Sequence, residues 1–194
     1  YPAPLAESLE TLLLNERRPR QEELDRLDPL ISRHFSDTAL ALLAGADVKP
    51  AQIRAIGSHG QTVWHEPDGP RPVSIQLGSP QLIAQACDIV TVGDFRRADI
   101  ESGGQGAPLA PLLHRALFQP EKGRRLVLNL GGIANISVLG DKGNVRGFDT
   151  GPANCLLDAW VRKCTGEPFD TDGAWAASGT ADPSLLEDMA RDEY

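Results

Sequence analysis

Four stretches of this chain set carboxylate, imidazole, amide and guanidinium side chains beside glycine, so that a polar ligand can reach side chains and main chain together. The densest is Gly93-Asp94-Phe95-Arg96-Arg97-Ala98-Asp99-Ile100-Glu101-Ser102-Gly103-Gly104-Gln105-Gly106, directly after the apolar run Ile89 to Val92. Asp94 is the first polar side chain off that run, at the carboxyl end of an expected strand, where ligands gather in open α/β sheets. A carboxylate there can serve as a general base, since partial desolvation raises its pKa and neighbouring arginines oppose the rise. Arg96 and Arg97 set that balance or hold an anionic substrate by bidentate hydrogen bonds. The alternative is that Asp94 caps a turn and pairs with Arg96 at the surface. Gly103-Gly104-Gln105-Gly106 permits close backbone approach, and amides at the start of the next helix could bind an anion. It is not a Walker loop, because no Gly-Lys-Ser/Thr follows.

The second stretch is Gly57-Ser58-His59-Gly60-Gln61-Thr62. His59 and Gln61 either hydrogen-bond hydroxyl or amide groups of a ligand, or His59 is a satisfied turn histidine. His65-Glu66 follows without the His-Glu-x-x-His spacing of a zinc site. In the third, Asn129-Leu130-Gly131-Gly132-Ile133-Ala134-Asn135, paired glycines between two strands present backbone N–H groups suited to phosphates, or form an ordinary hairpin turn. The fourth, Asp149-Thr150-Gly151-Pro152-Ala153-Asn154, joins a strand to a helix with a carboxylate, a hydroxyl and helix N-terminal amides. Asp149 holds Mg2+ through water or, like Thr150, caps the helix. Asp170-x-Asp172-Gly173 lacks the remaining EF-hand ligands, so no metal-ligating residues are assigned.

The elements that must position these groups follow from periodicity. Leu5, Leu9, Leu12 and Leu13 mark a first helix; Leu24, Leu27, Ile31, Phe35 and Leu42 mark a second within about 21–45. From Pro50 the pattern shortens to strand-like runs at Ile53 to Ile56, Val73 to Leu77 and Ile89 to Val92, with a helix opening at Pro80 before the last. Strand, helix and strand alternate as in an α/β layer. A helical stripe from Leu109 to Leu117 ends at Pro120 and the Glu121-Lys122-Gly123 turn, where a domain boundary is expected. Strands at Leu126 to Leu130, Ile133 to Leu139 and Val145 to Phe148 follow, the last two joined by a hairpin turn at Gly140 to Asn144. Leu156, Leu157, Trp160, Val161 and Cys164 share a face of the next helix, and the chain stops at Tyr194 within a further apparent helix.

Composition narrows the class. The 194 residues are 41% hydrophobic and 24% charged, the range of ordinary globular domains, with no apolar run approaching the roughly 20 residues that span a bilayer. Nineteen Lys+Arg against 27 Asp+Glu leave a net charge of −8, which disfavours nucleic acid and anionic membrane as partners. Cys87, Cys155 and Cys164 are odd in number and set in apolar patterns, as reduced core thiols of a cytoplasmic protein would be. Trp64, Trp160 and Trp175 are read as core or cleft walls.

Taken in order, these motifs, with Leu128-Asn129-Leu130-Gly131-Gly132, Gly147-Phe148-Asp149-Thr150-Gly151-Pro152 and Asp172-Gly173-Ala174-Trp175-Ala176, resemble the anhydro-N-acetylmuramic acid kinases of bacterial cell-wall recycling. The resemblance runs from about Ala51 to Gly179. It implies an incomplete α/β actin-like ATPase (ribonuclease H-like) fold with parts of two domains. Residues 1–123 would be the sugar-side part of the first domain, and 124–194 the truncated start of the second, with the phosphate-loop hairpin and helices. It implies ATP-dependent phosphorylation of 1,6-anhydro-N-acetylmuramic acid with hydrolytic opening of the anhydro bond, ATP and Mg2+ as cofactors, a cytoplasmic location and a homodimer as one arrangement. Asp94 matches the catalytic aspartate that activates water. His59, Gln61, Arg96, Arg97, Gln105, Asp149 and Asn154 fall to the sugar, and Asn129, Gly131, Gly132, Asn135 and Gly151 to the nucleotide. Many relatives carry Asp at the position of Asn129, which can supply neither a base nor charge. The family's first phosphate loop and its adenosine-binding half have no counterpart here, so the 194 residues are expected to be a central fragment, inactive alone. Two other readings stand beside this one: a noncatalytic sugar- or nucleotide-binding module, and a glycosidase pairing Asp94 with Asp99 or Glu101.

Overall fold

The computed structural model describes residues 1–15, 17–140 and 144–191. They form a mixed α/β structure in two compact units, Tyr1–Ala107 and Pro108 onward.

The first unit opens with α1 (Ala3–Leu14) and α2 (Gln21–Gly45), the latter with the expected bounds. Glu23 fastens the start of α2 by accepting Arg20 N–H at 2.7 Å and Arg17 Nη2–H at 2.6 Å. The Arg17 hydrogen bond, then that of the Arg20 amide, hold its carboxyl down at about 2. Leu5, Leu9 and Leu12 of α1 and Leu27 and Ile31 of α2 recur at helical spacing and bury together with Val63 and Leu77. Each such side chain contributes about 1.5–3 kcal/mol on burial. A second cluster joins Ile83, Cys87 and Ile89 to the apolar face of α2 at Phe35, Ala39 and Leu43.

Four short strands complete this unit. β1 (Ile56–Gly57) pairs parallel with β4 (Thr91–Val92), and β2 (Gln61–Glu66) pairs antiparallel with β3 (Val73–Leu77). The run Ile53 to Ile56 was expected as a strand; only Ile56 finds a ladder partner, and a short 3₁₀ turn at Pro50–Gln52 precedes it. Helix α3 (Pro80–Cys87) is capped by the Ser79 hydroxyl, which accepts Leu82 N–H, and ends at Asp88 with φ 55°. The polar stretch after Asp94 holds a short helix, α4 (Arg97–Glu101).

In the second unit α5 (Ala110–Phe118) packs on an antiparallel meander, β5 (Arg125–Leu130), β6 (Ile133–Leu139) and β7 (Val145–Pro152). The unit thus begins at Pro108 and takes in α5, through His114 Nδ1 and Ser137 Oγ at 2.8 Å, and through Gln119 Nε2, which donates to Gly140 O at 2.9 Å. Asp141 to Gly143 of the expected hairpin turn lie outside the described residues, while Gly140 N–H donates to Asn144 O at 2.8 Å beside the Leu139–Val145 pair. Helices α6 (Asn154–Thr165), α7 (Ala174–Ala177) and α8 (Pro183–Met189) follow; Tyr194, expected within a helix, lies outside the described residues. Cys87 is buried, but Cys155 and Cys164 are exposed, because only Val161 of α6 is buried. The expectation of three core thiols is corrected accordingly. Among the described residues no helix is long and apolar enough to cross a membrane.

Candidate active site

Parallel pairing of β1 with β4 sets two carboxyl ends side by side. The ladder runs Ile56–Thr91 and Gly57–Val92, and Ser58 N–H adds a bond to Val92 O at 2.8 Å. Ser58-His59-Gly60 and Gly93-Asp94 therefore leave the sheet together. Gly93 is required for this: a Cβ there would stand 2.3 Å from Pro80 Cγ and 3.0 Å from Ser58 O. Asp94 takes φ 57°, a left-handed conformation that Asp tolerates better than most residues, and its carboxylate is exposed.

A cleft of about 760 Å³ opens at these strand ends, lined among others by His59, Ser74, Gln76, Asp94, Arg97 and Glu101. That volume lies in the range of small-molecule sites. Asp94 Oδ2 accepts a hydrogen bond from Arg97 Nη2, so the pairing expected with Arg96 is made with Arg97 instead. The two side chains are 38% and 69% exposed, and an ion pair so wet is worth about 0–1 kcal/mol. A ligand can replace Arg97 at little cost.

Arg96 turns the other way. Its Nε–H donates to His59 Nε2 at 3.0 Å, and Nη1 lies 3.5 Å from Ser74 Oγ. A guanidinium only donates, so Nε2 is the acceptor and the imidazole proton sits on Nδ1, 2.9 Å from Gly60 O. Among the described residues no carboxylate pairs with Arg96, and burial lowers its pKa from the ordinary arginine value. A half-buried cation with only neutral acceptors keeps its charge available to an anion.

The other expected contacts in this unit are elsewhere. Gln61 receives the Tyr1 hydroxyl at 3.1 Å, and Gln105 Nε2 donates to Asp68 at 3.3 Å; neither lines the cleft. Ser74 and Gln76 do line it and escaped the sequence reading, although the alternation Val73-Ser74-Ile75-Gln76-Leu77 carries the signal. Leu77 is buried in the core and Ile75 packs against it, while Ser74 and Gln76 present polar groups to the cleft. Gln76 Nε2 donates to Ser74 Oγ at 2.7 Å, linking them to Arg96.

In the second unit Asn129 pairs with Asn135 across β5 and β6, and Asn135 with Asp149 across β6 and β7. Directly opposite residues share a face, so the three form one polar row beside the Gly131-Gly132 turn. An extra residue, Thr150, bulges β7 next to it and donates to Ala134 O at 3.2 Å. The amides opening α6 are taken internally: Asn154 N–H donates to Gly131 O at 3.0 Å and Cys155 N–H to Gly132 O at 3.1 Å. Asn154 Nδ2 donates to Leu130 O at 3.2 Å. These contacts lock the helix onto the turn and leave its N-terminus no free donors for an anion. Gly151 is buried at φ 147°. Neither φ nor packing demands glycine at 131 or 132, where a Cβ would meet nothing closer than 3.5 Å and 3.8 Å. Asp170, in the stretch rejected as a calcium loop, caps α7 by accepting Trp175 and Ala176 N–H at 2.9 Å each.

An α/β arrangement that delivers the Asp94 carboxylate from a strand end into a cleft of small-molecule size, with the Arg96 guanidinium reaching Ser74 of its wall, is a site suited to a small polar ligand. A sequence model described as anhydro-N-acetylmuramic acid kinase matches residues 1–194. An anhydro-N-acetylmuramic acid kinase of Vibrio cholerae serotype O1 is 49% identical over 160 residues, covering 82% of this chain and 43% of that protein. The chain belongs to the anhydro-N-acetylmuramic acid kinase family, a family of sugar kinases, and spans less than half the length of this curated relative.

Proposed function

We propose that the protein to which this chain belongs phosphorylates 1,6-anhydro-N-acetylmuramic acid with ATP and opens the anhydro bond by hydrolysis. The product is N-acetylmuramic acid 6-phosphate, in cytoplasmic cell-wall recycling. The architecture is that of the actin-like ATPases, the unit Tyr1–Ala107 giving the sugar-side part of one domain and the unit from Pro108 the start of the next. The observation that carries this reading is Asp94 at the strand end, open to the cleft and held, among the described residues, by one exposed arginine.

Asp94 takes a proton from a water whose oxygen bonds to the anomeric carbon; the bond from that carbon to O6 breaks, and O6 becomes the phosphoryl acceptor. Arg96 receives the acid group of the sugar, oriented by His59, whose proton is committed to Gly60 O. Arg97 releases Asp94 as the ligand enters. Asn129, Asn135 and the side-chain-free turn at Gly131 and Gly132 supply neutral donors to phosphate oxygens, with Gly151 supporting the strand opposite. Asp149, the one carboxylate of the polar row, suits Mg2+ held through water. When bound, ATP with Mg2+ supplies the phosphoryl group. Gln61, Gln105 and Asn154 join the site only if they give up their present partners.

Replacing Asp94 by Asn in the full-length protein should lower turnover about 10²-fold or more, measured as sugar-dependent ADP release. Near-normal turnover would refute the assignment and favour a binding module. The glycosidase reading loses Asp99 as its second acid, because that carboxylate is engaged by Gly106 N–H. Opening of the sugar without ATP would revive it with Glu101.

A further inference from the structure

The glycine-rich stretch Gly103 to Gly106, where close backbone approach of a ligand was expected, already holds a carboxylate of the chain's own. Asp99 Oδ2 accepts Gly106 N–H at 2.7 Å, while Asp99 O accepts Gly104 N–H at 2.8 Å and Ile100 O accepts Gly103 N–H at 3.0 Å. The carboxylate fills the space over Gly104, where a Cβ would stand 2.2 Å from Oδ2 and 2.7 Å from Oδ1. Gly106, at φ 72°, is buried on the same helix: a Cβ would meet Ile100 Cδ1 at 2.9 Å and Arg96 Cβ at 3.2 Å. Gly103 needs its φ of 89° to make the turn. Every glycine of the stretch is thus explained by closure of the loop on α4. Its last residue rests against the stem of Arg96, whose head reaches His59 and Ser74.

We propose that Asp99 is a positioning residue: its carboxylate shuts loop 102–106 onto α4 and so braces the Arg96 stem that aims the guanidinium at the sugar's acid group. This rests on the role given to Arg96 above. A main-chain N–H donating to a carboxylate is a charge-assisted bond, stronger than one to a neutral acceptor. Without it the loop lifts from Arg96, and the cost falls on ligand affinity rather than on chemistry at Asp94.

The test uses the full-length enzyme, with the kinetics of sugar phosphorylation and calorimetric binding of the sugar measured for Asp99→Ala, Asp99→Asn and Gly104→Ala. Asp99→Ala should raise KM and sugar Kd about tenfold or more while kcat stays within about threefold. Asp99→Asn, which keeps an oxygen for Gly106 N–H, should recover most of that affinity. Gly104→Ala displaces the carboxylate without deleting it and should move KM in the same direction. An unchanged KM in Asp99→Ala, a fall in kcat alone, or an Asn variant no better than Ala overturns the proposal. If Asp99→Ala does not fold, the same split between KM and kcat in the other two variants decides. A wild-type enzyme that neither binds nor phosphorylates the acid sugar overturns the reading of the site itself, an outcome visible without any variant.

Discussion

At the scale of single residues, hydrogen-bond capacity decides what each side chain can do. Arg96 cannot accept and His59 has one free lone pair, so their contact at 3.0 Å fixes the imidazole tautomer and leaves the positive charge uncompensated. Glu23 is the opposite case, a carboxylate satisfied by Arg17 and by the Arg20 amide. Its folded value of about 2 lies below the ordinary 4.5, so its contribution to stability is complete above 4.5 and disappears as pH falls through 2. In urea titrations the gap between the wild-type chain and Glu23→Gln should therefore be widest near about pH 7 and shrink steadily below about pH 4. A gap that does not depend on pH would refute this. The location of Asp94, His59, Arg96 and Arg97 beyond strand ends was legible because each lies shortly after an apolar run. Gln61 and Gln105 take other partners here, because spacing does not say which way a turn residue points. All four non-glycine residues with positive φ among those described, Asp47, Asp88, Asp94 and Asp172, are aspartates, a regularity that residue type alone anticipates.

Elements were legible where one period dominated. Helix α2 kept its bounds because its apolar residues recur at helical spacing over many turns. Strand β2 was missed: only Val63 of Gln61–Glu66 is buried, and a bulge between Thr62 and Trp64 breaks the alternation. The glycines separate into those the fold consumes and those it leaves open, a distinction invisible in a Gly-Gly dipeptide. Gly147 belongs to the first kind, since a Cβ there would lie 2.3 Å from Pro111 Cγ of α5. Gly147→Ala should cost about 1–3 kcal/mol of stability by chemical denaturation, the usual penalty for overpacking. Gly131→Ala should stay within about 0.5 kcal/mol in the same assay. In the full-length enzyme it should nonetheless raise KM for ATP, because a methyl group there intrudes on the phosphate approach. Equal destabilisation by the two substitutions would refute the division.

For the molecule as a whole, the two units differ in how much they cover. In the first, α1, α2 and the β2–β3 hairpin enclose a core; in the second, Leu126, Leu128 and Leu130 line one face of β5 at 65%, 56% and 62% exposure. Leu112, Leu113 and Leu117 of α5 are exposed as well. Apolar surface of this extent invites association. The isolated 194-residue chain should bind an apolar-surface dye strongly, self-associate and turn over no ATP, whereas the full-length protein should bind the dye weakly. Weak dye binding or ATP turnover by the isolated chain would refute this. The short pairing of β1 with β4 carries a last consequence. The proposed base stands on two rungs of ladder, the thinnest scaffold in its unit, so a sugar that grips both His59 and Asp94 would act as a third rung. Occupancy and local order then become a single equilibrium: the visitor mortars the wall it leans on.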